Sequence, residues 1–363
     1  MNMMFVEDCC EILDSMRIPI TAANRKEGEY PYYGANGIQD YVADYIFDDE
    51  LVLLAEDGGN FGSKEKPIAY RVSGKCWVNN HAHVLKPKAG LDVDYLCYSL
   101  MFYKVDGMVN GATRQKLTQS AMRKMQIPSR CMEEQKHIVD ELNRIIKIKK
   151  QHQQELQLLD ELIKARFVEL FGDLVNPKCQ WKKEKLVDAC KNPDDIKCGP
   201  FGTQLSKDEY CSSGVAVWEI SQINSGFATQ PTHFLTDEKA NQLEVYSIKS
   251  GDIAMSRKGN VGRCAVFPET MEDGIIHSDI LRIRVNNDLV LPVFMMYQLH
   301  YSRAVQHQIE LVSSGAIMAG INVTKLKQIE VHIPPLKLQQ QFDAFVAEVD
   351  KSKVTKQIDS PIS

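Results

Sequence analysis

Residues 127–135 read IPSRCMEEQ, and residues 333–341 read IPPLKLQQQ. The two stretches lie 206 residues apart, and each joins a short apolar run ending in Ile-Pro to a segment with helical character. Upstream, GGNFG at 58–62 aligns with KGNVG at 258–262, so the order of features is the same in both halves. An internal repeat of this length predicts two copies of one unit, each a domain followed by a helix.

A long helix is predicted after the first junction, over residues 131–172. This stretch has no Pro, and its only Gly is Gly172. Its length of about 60 Å at 1.5 Å per residue suits a coiled-coil arm. The polar run KKQHQQ at 149–154 interrupts the apolar face, either as a device that fixes helix register or as a plain solvated segment. Apolar residues step by three and four at Ile138, Leu142, Ile145, Leu156, Leu159, Ile163, Phe167 and Leu170.

A second, shorter helix is predicted from residue 336 to near Gln357. Its apolar face consists of Leu338, Phe342, Phe345 and Val349. On the 206-residue alignment this helix stops at the polar break of the first one, which continues over 152–173. We therefore expect a truncated C-terminal helix that docks one partner weakly or recruits a helix of another chain.

The rest of the sequence is typical of small mixed domains, with short apolar runs bounded by Gly, Asn and Ser. We predict an α+β fold with two mixed α/β domains, separated by long antiparallel coiled-coil helices in a pseudo-two-fold repeat. The predicted segments are a first domain at 1–130, a central helix at 131–175, a second domain at 176–335 and the short C-terminal helix at 336–363.

Composition narrows the class of protein. The chain has 363 residues, 44% of them apolar, and no run of about 20 apolar residues that would cross a membrane. Its ten cysteines are scattered, with no Cys-x-x-Cys, and the N-terminus resembles no export signal. These features predict reduced thiols in the cytoplasm and no zinc framework.

The net charge of −5 conceals an uneven distribution. Residues 1–57 hold 3 basic and 13 acidic residues, whereas residues 58–130 hold 12 basic and 4 acidic ones. Either both faces are simply solvated, or one of them meets a phosphate backbone.

Signatures of catalysis are missing from the sequence. It has no Gly-x-x-x-x-Gly-Lys-Ser/Thr phosphate loop, no Gly-x-Ser-x-Gly elbow and no Asn-Pro-Pro-Tyr turn. The pair His81 and His83 shares one strand face, but two histidines without further ligands more often form a polar surface than a metal site. The sequence therefore favours a binding module without catalytic residues or a metal.

These features together resemble the specificity subunit of type I restriction-modification systems. The two Ile-Pro junctions with their Gln-containing helix starts look like the family's two conserved regions. The other matching stretches are EILDS (11–15), RIPI (17–20), YPYYGANGI (30–38), EDG (56–58), WVNNHAHVL (77–85) and GPFGTQL (199–205).

The resemblance implies a division of labour. Two target-recognition domains would each read one half of a split, asymmetric site in double-stranded DNA, while the helices set their spacing and dock two modification subunits. Those subunits would bind S-adenosylmethionine and methylate adenine, and a restriction subunit would use ATP and Mg²⁺. No cofactor is expected on this chain, which would be non-catalytic.

Candidate DNA contacts lie in polar loops near glycines, where backbone can approach a ligand closely. Tight turns with solvated charges are the alternative at each position. Predicted contacts are Asn60, Lys64, Asn79, Asn80, His81, His83, Arg114, Lys116, Thr203, Gln204, Arg257, Lys258, Asn260 and Arg263.

Two other hypotheses remain open at this stage. The chain could be a helical interaction scaffold unrelated to DNA, or a silent cassette of a phase-varying specificity locus. Neighbouring modification and restriction genes and binding of random-sequence DNA at low salt would separate the scaffold from the DNA-reading subunit.

Overall fold

The structure is a computed structural model that describes residues 2–111, 114–172, 180–313 and 320–358. Its chain divides into two units, Met1–Gln151 and His152–Ser363. This division falls inside the polar run 149–154, in the middle of a continuous helix. The predicted boundary between residues 175 and 176 lies outside the described residues.

The first unit is built on a six-stranded sheet in the order β2-β7-β5-β6-β3-β4. Its strands are β1 (Met3–Phe5), β2 (Cys10–Ile12), β3 (Glu27–Gly34), β4 (Gly37–Val42), β5 (Phe47–Ala55), β6 (Ala69–Val78), β7 (Ala82–Pro87), β8 (Val109–Asn110), β9 (Lys116–Leu117) and β10 (Gln126–Pro128). Its helices are α1 (Val6–Cys9), α2 (Val93–Met101), α3 (Gln119–Arg123) and the first part of α4 (Met132–Phe171).

Strand β5 lies in the middle of this sheet because its second half is apolar on both faces. Leu51, Val52, Leu53, Leu54 and Ala55 are all fully buried. Helix α2 packs on β5 and β6, and Asp92 caps it by accepting hydrogen bonds from the N–H groups of Asp94 and Tyr95. The strand therefore ends inside the core, and its carboxyl end places the following turn at the edge of that core.

The second unit contains two four-stranded sheets, in the orders β12-β19-β16-β17 and β14-β13-β18-β15. Its strands are β11 (Lys182–Lys185), β12 (Ile196–Cys198), β13 (Val215–Trp218), β14 (His233–Leu235), β15 (Ser247–Ile248), β16 (Ile253–Ser256), β17 (Cys264–Val266), β18 (Gly274–Ile276), β19 (Ile280–Ile283) and β20 (Glu330–Ile333). Its helices are α5 (Ile220–Asn224), α6 (Asp237–Gln242), α7 (Pro292–Tyr301), α8 (Arg303–Val312), α9 (Val323–Lys327) and α10 (Leu336–Ile358).

Helix α10 runs antiparallel to the second half of α4. Near the start of α10, the ring of Phe342 lies 5.4 Å from that of Phe167 and 5.6 Å from that of Phe171. Eleven residues later, the Nζ of Lys353 lies 2.8 Å from Oδ1 of Asp160, earlier in α4. The predicted α+β class and antiparallel helix pair are confirmed. Among the described residues, no helix is long and apolar enough to cross a membrane.

The predicted apolar faces differ in how deeply they are buried. Ile163, Phe167, Phe342 and Val349 lie in the core of the second unit, and Leu156, Leu159, Leu170, Leu338 and Phe345 are half-buried. Ile138 packs against the core of the first unit, whereas Leu142 and Ile145 are half-buried. The prediction omitted Phe171 and Val346, which are also buried at the helix pair.

The repeat is real, but its offset at the junctions is 204 residues rather than 206. The short helices α3 and α9 begin after Thr118 and Asn322, whose side chains accept hydrogen bonds from the N–H groups of Ala121 and Lys325. The long helices α4 and α10 begin at Met132 and Leu336, again 204 residues apart. Both junctions therefore have the same local construction.

Candidate nucleic-acid interface

A tight turn follows strand β5 of the first unit. The backbone N–H of Glu56 donates to the carbonyl of His81 (2.9 Å), and the N–H of Gly58 donates to that of Gln115 (3.1 Å). Gly58 has a φ of +62°, a left-handed conformation that glycine adopts without strain. We call the corner formed here by Glu56, Asp57, Gly58, His81, Arg114 and Lys116 the first turn cluster.

The basic side chains of the first turn cluster pair with two carboxylates. Nη2 of Arg114 donates to Oδ1 of Asp57 (2.9 Å), and Nδ1 of His81 lies 2.6 Å from the same oxygen. The Nζ of Lys116 lies 3.0 Å from Oε1 of Glu56. Because the Arg114 side chain is still 61% exposed, its carboxylate partner orients the guanidinium without covering it.

The second unit builds the same corner after β16. The N–H of Arg257 donates to the carbonyl of Asp279 (2.9 Å), as the N–H of Glu56 does to His81. An isolated antiparallel β-bridge pairs the backbones of Asp57 and Lys116 in the first corner, and another pairs those of Lys258 and Gly320 in the second. Gly259, at φ +69°, occupies the place of Gly58, whereas the sequence alignment of 58–62 with 258–262 pairs it with Gly59 and is therefore wrong by one residue here.

The charges of the two corners are opposite in arrangement. Where the first turn has Glu56 and Asp57, the second has Arg257 and Lys258, and Asp279 stands where the first has His81. The Nζ of Lys258 lies 2.8 Å from Oδ1 of Asp279. We call the group Arg257, Lys258, Gly259, Arg263 and Asp279 the second turn cluster.

Beneath the first turn cluster lies a buried polar network. Nδ1 of His83 lies 2.7 Å from Oδ2 of Asp14, and its Nε2 lies 2.9 Å from the carbonyl oxygen of Leu117. Ligand atoms of Asp14, Glu56 and His83 lie within 4.8 Å of one another, a spacing that metal sites also show. Here, however, Arg17 donates to Glu56 (2.6 Å) and lies 3.6 Å from Asp14. Since cationic side chains already neutralise both carboxylates, the group is best described as a salt-bridge network.

The network shifts the pKa values of its two carboxyl groups. Burial alone would raise the pKa of Asp14, but the hydrogen bond and charge of His83 and a bond from Gln119 hold it below its usual value. Burial would likewise raise the pKa of Glu56, and hydrogen bonds from Arg17 and Lys116 hold it below its usual value. Both groups are therefore carboxylates at neutral pH.

Two predicted DNA contacts are wrong because the side chains are buried. His83 has no exposed surface, and both of its ring nitrogens face acceptors in the network. Asn79 is 3% exposed, and its amide bonds to Gln39 (3.0 Å) and to the N–H of His81 (2.8 Å). Both residues shape the first turn cluster from below rather than contacting a ligand.

The other predicted contacts reach the surface to different degrees. Arg257 is half-buried and donates to the carbonyls of Ser278 and Ile321 (3.2 Å each), so it also holds the second corner together. Arg263 is exposed and donates to the carbonyl of Asn224 (2.7 Å). Asn60 is half-buried, and exposed Gln204 bonds to the Tyr246 hydroxyl (2.9 Å). Four are exposed and make no side-chain bond within the described part of the chain: Lys64, Asn80, Thr203 and Asn260. Their role as DNA contacts stays a prediction.

Sequence reasoning missed one residue at each corner. The Asn36 side chain donates to the carbonyl of Gly58 (2.9 Å), and the Phe201 ring lies 4.7 Å from the guanidinium carbon of Arg257. Phe201 is 48% exposed. Both follow a glycine-containing turn, YYGAN at 32–36 and CGPF at 198–201, and that shared pattern was the available signal.

Comparison with known proteins agrees with this architecture. The sequence model of the type I restriction modification DNA specificity domain matches residues 1–158 and again 181–362. A type I restriction enzyme specificity subunit of Haemophilus influenzae is 28% identical over 346 residues, covering 93% of this chain and 84% of the relative. The MjaX specificity subunit of Methanocaldococcus jannaschii is 24% identical over 132 residues, covering 35% of this chain and 31% of the relative.

Solved structures show the same fold at low identity. The S subunit of a type I restriction-modification system from M. genitalium superposes with a TM-score of 0.59 at 12% identity, covering 99% of this chain and 91% of that one. A second structure, from work on the assembly of a type I system, gives a TM-score of 0.54 at 14% identity, with 99% and 92% covered. With the family's domain matched twice along its length, the chain belongs to the type I restriction-modification specificity subunits.

Proposed function

We propose that each unit of this specificity subunit reads one half of a bipartite, asymmetric DNA sequence through its turn cluster. One observation carries the proposal. The two clusters share a backbone frame but exchange acidic for basic residues, with Glu56 and Asp57 in one and Arg257 and Lys258 in the other. A common frame with different side chains is what two different half-sites require, because base edges are distinguished by donor and acceptor pattern.

Exposed cations of the two units supply the contacts that position DNA. Lys64 and Lys258 are exposed point charges suited to phosphate oxygens, whereas arginine forks and amides suit base edges. The protein's net charge of −5 does not oppose this, because phosphate contacts depend on local rather than total charge.

The chemistry of the complex belongs to partner subunits in this proposal. Two modification subunits would dock on the helices and methylate adenine with S-adenosylmethionine, and a restriction subunit would add ATP- and Mg²⁺-dependent cleavage. This chain would contribute no catalytic group. We place the complex in the cytoplasm, in keeping with nine described cysteines that are all free thiols.

Methylation mapping tests the proposal directly. The chain is produced with its modification subunits in a host without other adenine methylases, and methylated adenines are located in the genome. We expect one split motif with two different halves. Substitutions in the first turn cluster should alter one half and substitutions in the second turn cluster the other.

Two results would contradict the proposal. A scaffold unrelated to DNA would give no sequence-specific methylation and no binding of random-sequence DNA at low salt. A substitution in one turn cluster that altered both halves equally would argue against one half-site for each unit.

A further inference from the structure

We propose that Arg114 is a base-reading residue that donates two hydrogen bonds to a guanine in the major groove, and that Asp57 is its positioning residue. The inference rests on the proposed function, namely DNA reading by the first turn cluster. It goes further by assigning one side chain to one base and by distinguishing base recognition from phosphate contact.

The guanidinium of Arg114 has an unused pair of donors. Its hydrogen bond to Oδ1 of Asp57 occupies one N–H of Nη2. Nδ1 of His81 lies 3.4 Å from the same nitrogen, but it also lies 2.6 Å from Oδ1 of Asp57. Because a carboxylate oxygen only accepts, Nδ1 donates to Asp57 and does not accept a hydrogen from Arg114. A guanidinium carries five N–H donors arranged as two forks. The two Nη2 hydrogens belong to different forks, so a bond from one of them to Asp57 leaves the other fork complete. A complete fork of two N–H groups matches the O6 and N7 acceptors of guanine.

Gly58 leaves room for the guanidinium of Arg114 beside the turn. A Cβ atom on residue 58 would come within 3.2 Å of Nε and 3.4 Å of Nη2 of Arg114, closer than side chains normally approach. The turn itself is held by the amide of Asn36, which donates to the carbonyl of Gly58. Arg114 is therefore confined by a backbone surface on one side and a carboxylate at one end.

Asp57 is in turn fixed by a second side chain. Its Oδ1 accepts from Arg114 and lies 2.6 Å from Nδ1 of His81, and its side chain is only 20% exposed. A side chain already held in one orientation loses less conformational entropy when a ligand binds. The fixed guanidinium therefore favours a ligand that is recognised by the geometry of its hydrogen bonds over one that is attracted by charge alone.

The position of Asp57 also separates a base from a phosphate as the ligand of Arg114. A phosphate bound at the free fork would bring its negative charge close to the Asp57 carboxylate, and the two negative charges would repel each other. The guanine edge offers acceptors without a net charge. Lys64 has no carboxylate partner within the described residues, and Lys258 carries its charge on a flexible four-carbon stem that can turn away from Asp279. Phosphate contact therefore falls to these two lysines.

The decisive experiment uses the full chain in complex with its modification subunits, with the methylated motif as readout. Variants are Arg114→Lys, Arg114→Ala and Asp57→Asn, with Arg123→Ala as a matched control. Arg123 is also an arginine of the first unit near a carboxylate, with its side chain 41% exposed and Nη1 3.7 Å from Oε2 of Glu7. Thermal unfolding and complex formation confirm that each variant folds.

For Arg114→Lys we expect preference at one base pair of one half-site to fall by roughly 5- to 150-fold, because lysine keeps the charge but lacks the fork. Arg114→Ala should lose the same preference, Asp57→Asn should weaken it partially, and Arg123→Ala should leave the motif unchanged. A motif unaltered in Arg114→Lys, or a uniform loss of methylation in Arg114→Ala with the motif intact, would overturn the inference. Absence of any sequence-specific methylation by the unsubstituted chain would instead contradict the proposed function, and the inference with it.

Discussion

Nδ1 of His83 lies 2.7 Å from Oδ2 of Asp14, and both side chains are almost completely shielded from solvent. The pair joins Asp14, the first residue of a short 3-10 helix (Asp14–Met16), to β7, and the other ring nitrogen of His83 reaches the carbonyl of Leu117 in β9. Lys116 precedes Leu117 in β9, and Arg114 lies two residues before Lys116. The buried ion pair fixes the segment that carries these two residues. It therefore positions the exposed cations of the first unit.

Replacing His83 should destabilise the first unit strongly. In His83→Ala the carboxylate of Asp14 stays buried without its main partner, and breaking such a pair costs about 3–5 kcal/mol. Urea unfolding, with hydrogen exchange of β5 and β7 to locate the effect, measures this change. The control His307→Ala removes a 69% exposed imidazole and should stay within about 0.5 kcal/mol of the unsubstituted chain. Equal stability of the two variants would contradict the structural role of His83.

The lowered pKa values of Asp14 and Glu56 predict loss of stability in acid. A carboxyl group whose pKa is lower in the folded than in the unfolded state stabilises the fold fully above the unfolded value, about 4. That contribution disappears as the pH falls through the folded values.

The free energy of unfolding, measured from pH 7 to pH 3, tests this pH dependence. Asp14→Asn lacks one of the two titrating groups, so its deficit relative to the unsubstituted chain should be largest above about pH 5 and shrink towards pH 3. A deficit that stays constant over this range would show that Asp14 titrates alike in the folded and unfolded states.

Sequence periodicity predicted the long elements well because their signal is spread over many residues. The helix expected over 131–172 is observed at Met132–Phe171, and the second, expected from 336 to near 357, is observed at Leu336–Ile358. The predicted repeat offset of 206 residues is two residues too long, because the sequence alignment matched the two Ile-Pro dipeptides. In the structure the halves are matched by buried glutamines, Gln135 and Gln339, which sequence alone does not distinguish from Gln340 or Gln341.

The two glycine turns were predicted from the sequence better than the burial of the side chains around them. Glycines marked both turns in the sequence, because the turns need left-handed backbone, with φ of +62° at Gly58 and +69° at Gly259, and glycine adopts it without strain. Alternation along β7 gave no means of deciding that His83 points into a salt-bridge network. Its partner Asp14 is 69 residues away in sequence, and pairing over that distance depends on strand order in the sheet.

The buried glutamines predict a sharp contrast between neighbours on α10. Gln339 accepts from the N–H of Leu291 (2.8 Å) and donates to the carbonyls of Pro334 (2.7 Å) and Leu289 (3.2 Å). Gln339→Ala should cost at least about 2 kcal/mol, because these backbone groups are left without a partner. Exposed Gln340→Ala is the control, and urea unfolding compares them. Similar stabilities would mean that water replaces the amide without penalty.

Helix pairing in the second unit should depend on a few aromatic residues. Phe342 has no exposed surface and contacts Phe167, Phe171 and Tyr297. Phe342→Ala should therefore destabilise the unit by about 3–5 kcal/mol, since it removes buried area and leaves a cavity. Leu158→Ala, on a residue of α4 that is 62% exposed, should change the free energy of unfolding by less than about 0.5 kcal/mol. If both substitutions cost the same, the aromatic contacts do not hold the helices together.

Phosphate contacts by exposed lysines of the two units should be visible in the salt dependence of DNA binding. Arg257 is unsuitable for this test, because its guanidinium also holds the carbonyls of Ser278 and Ile321. Lys64 and Lys258 are better choices, since both ammonium groups are exposed and neither bonds to the backbone. In the double variant Lys64→Ala with Lys258→Ala, the slope of log Kobs against log salt should become shallower by about 2, or about 0.9 for each lost phosphate contact.

Lys183→Ala is the control, because it removes a similarly exposed lysine paired with Glu330 and should leave the slope unchanged. If the double variant kept the slope of the unsubstituted chain, neither lysine would contact a phosphate, and the phosphate contacts would have to come from other side chains.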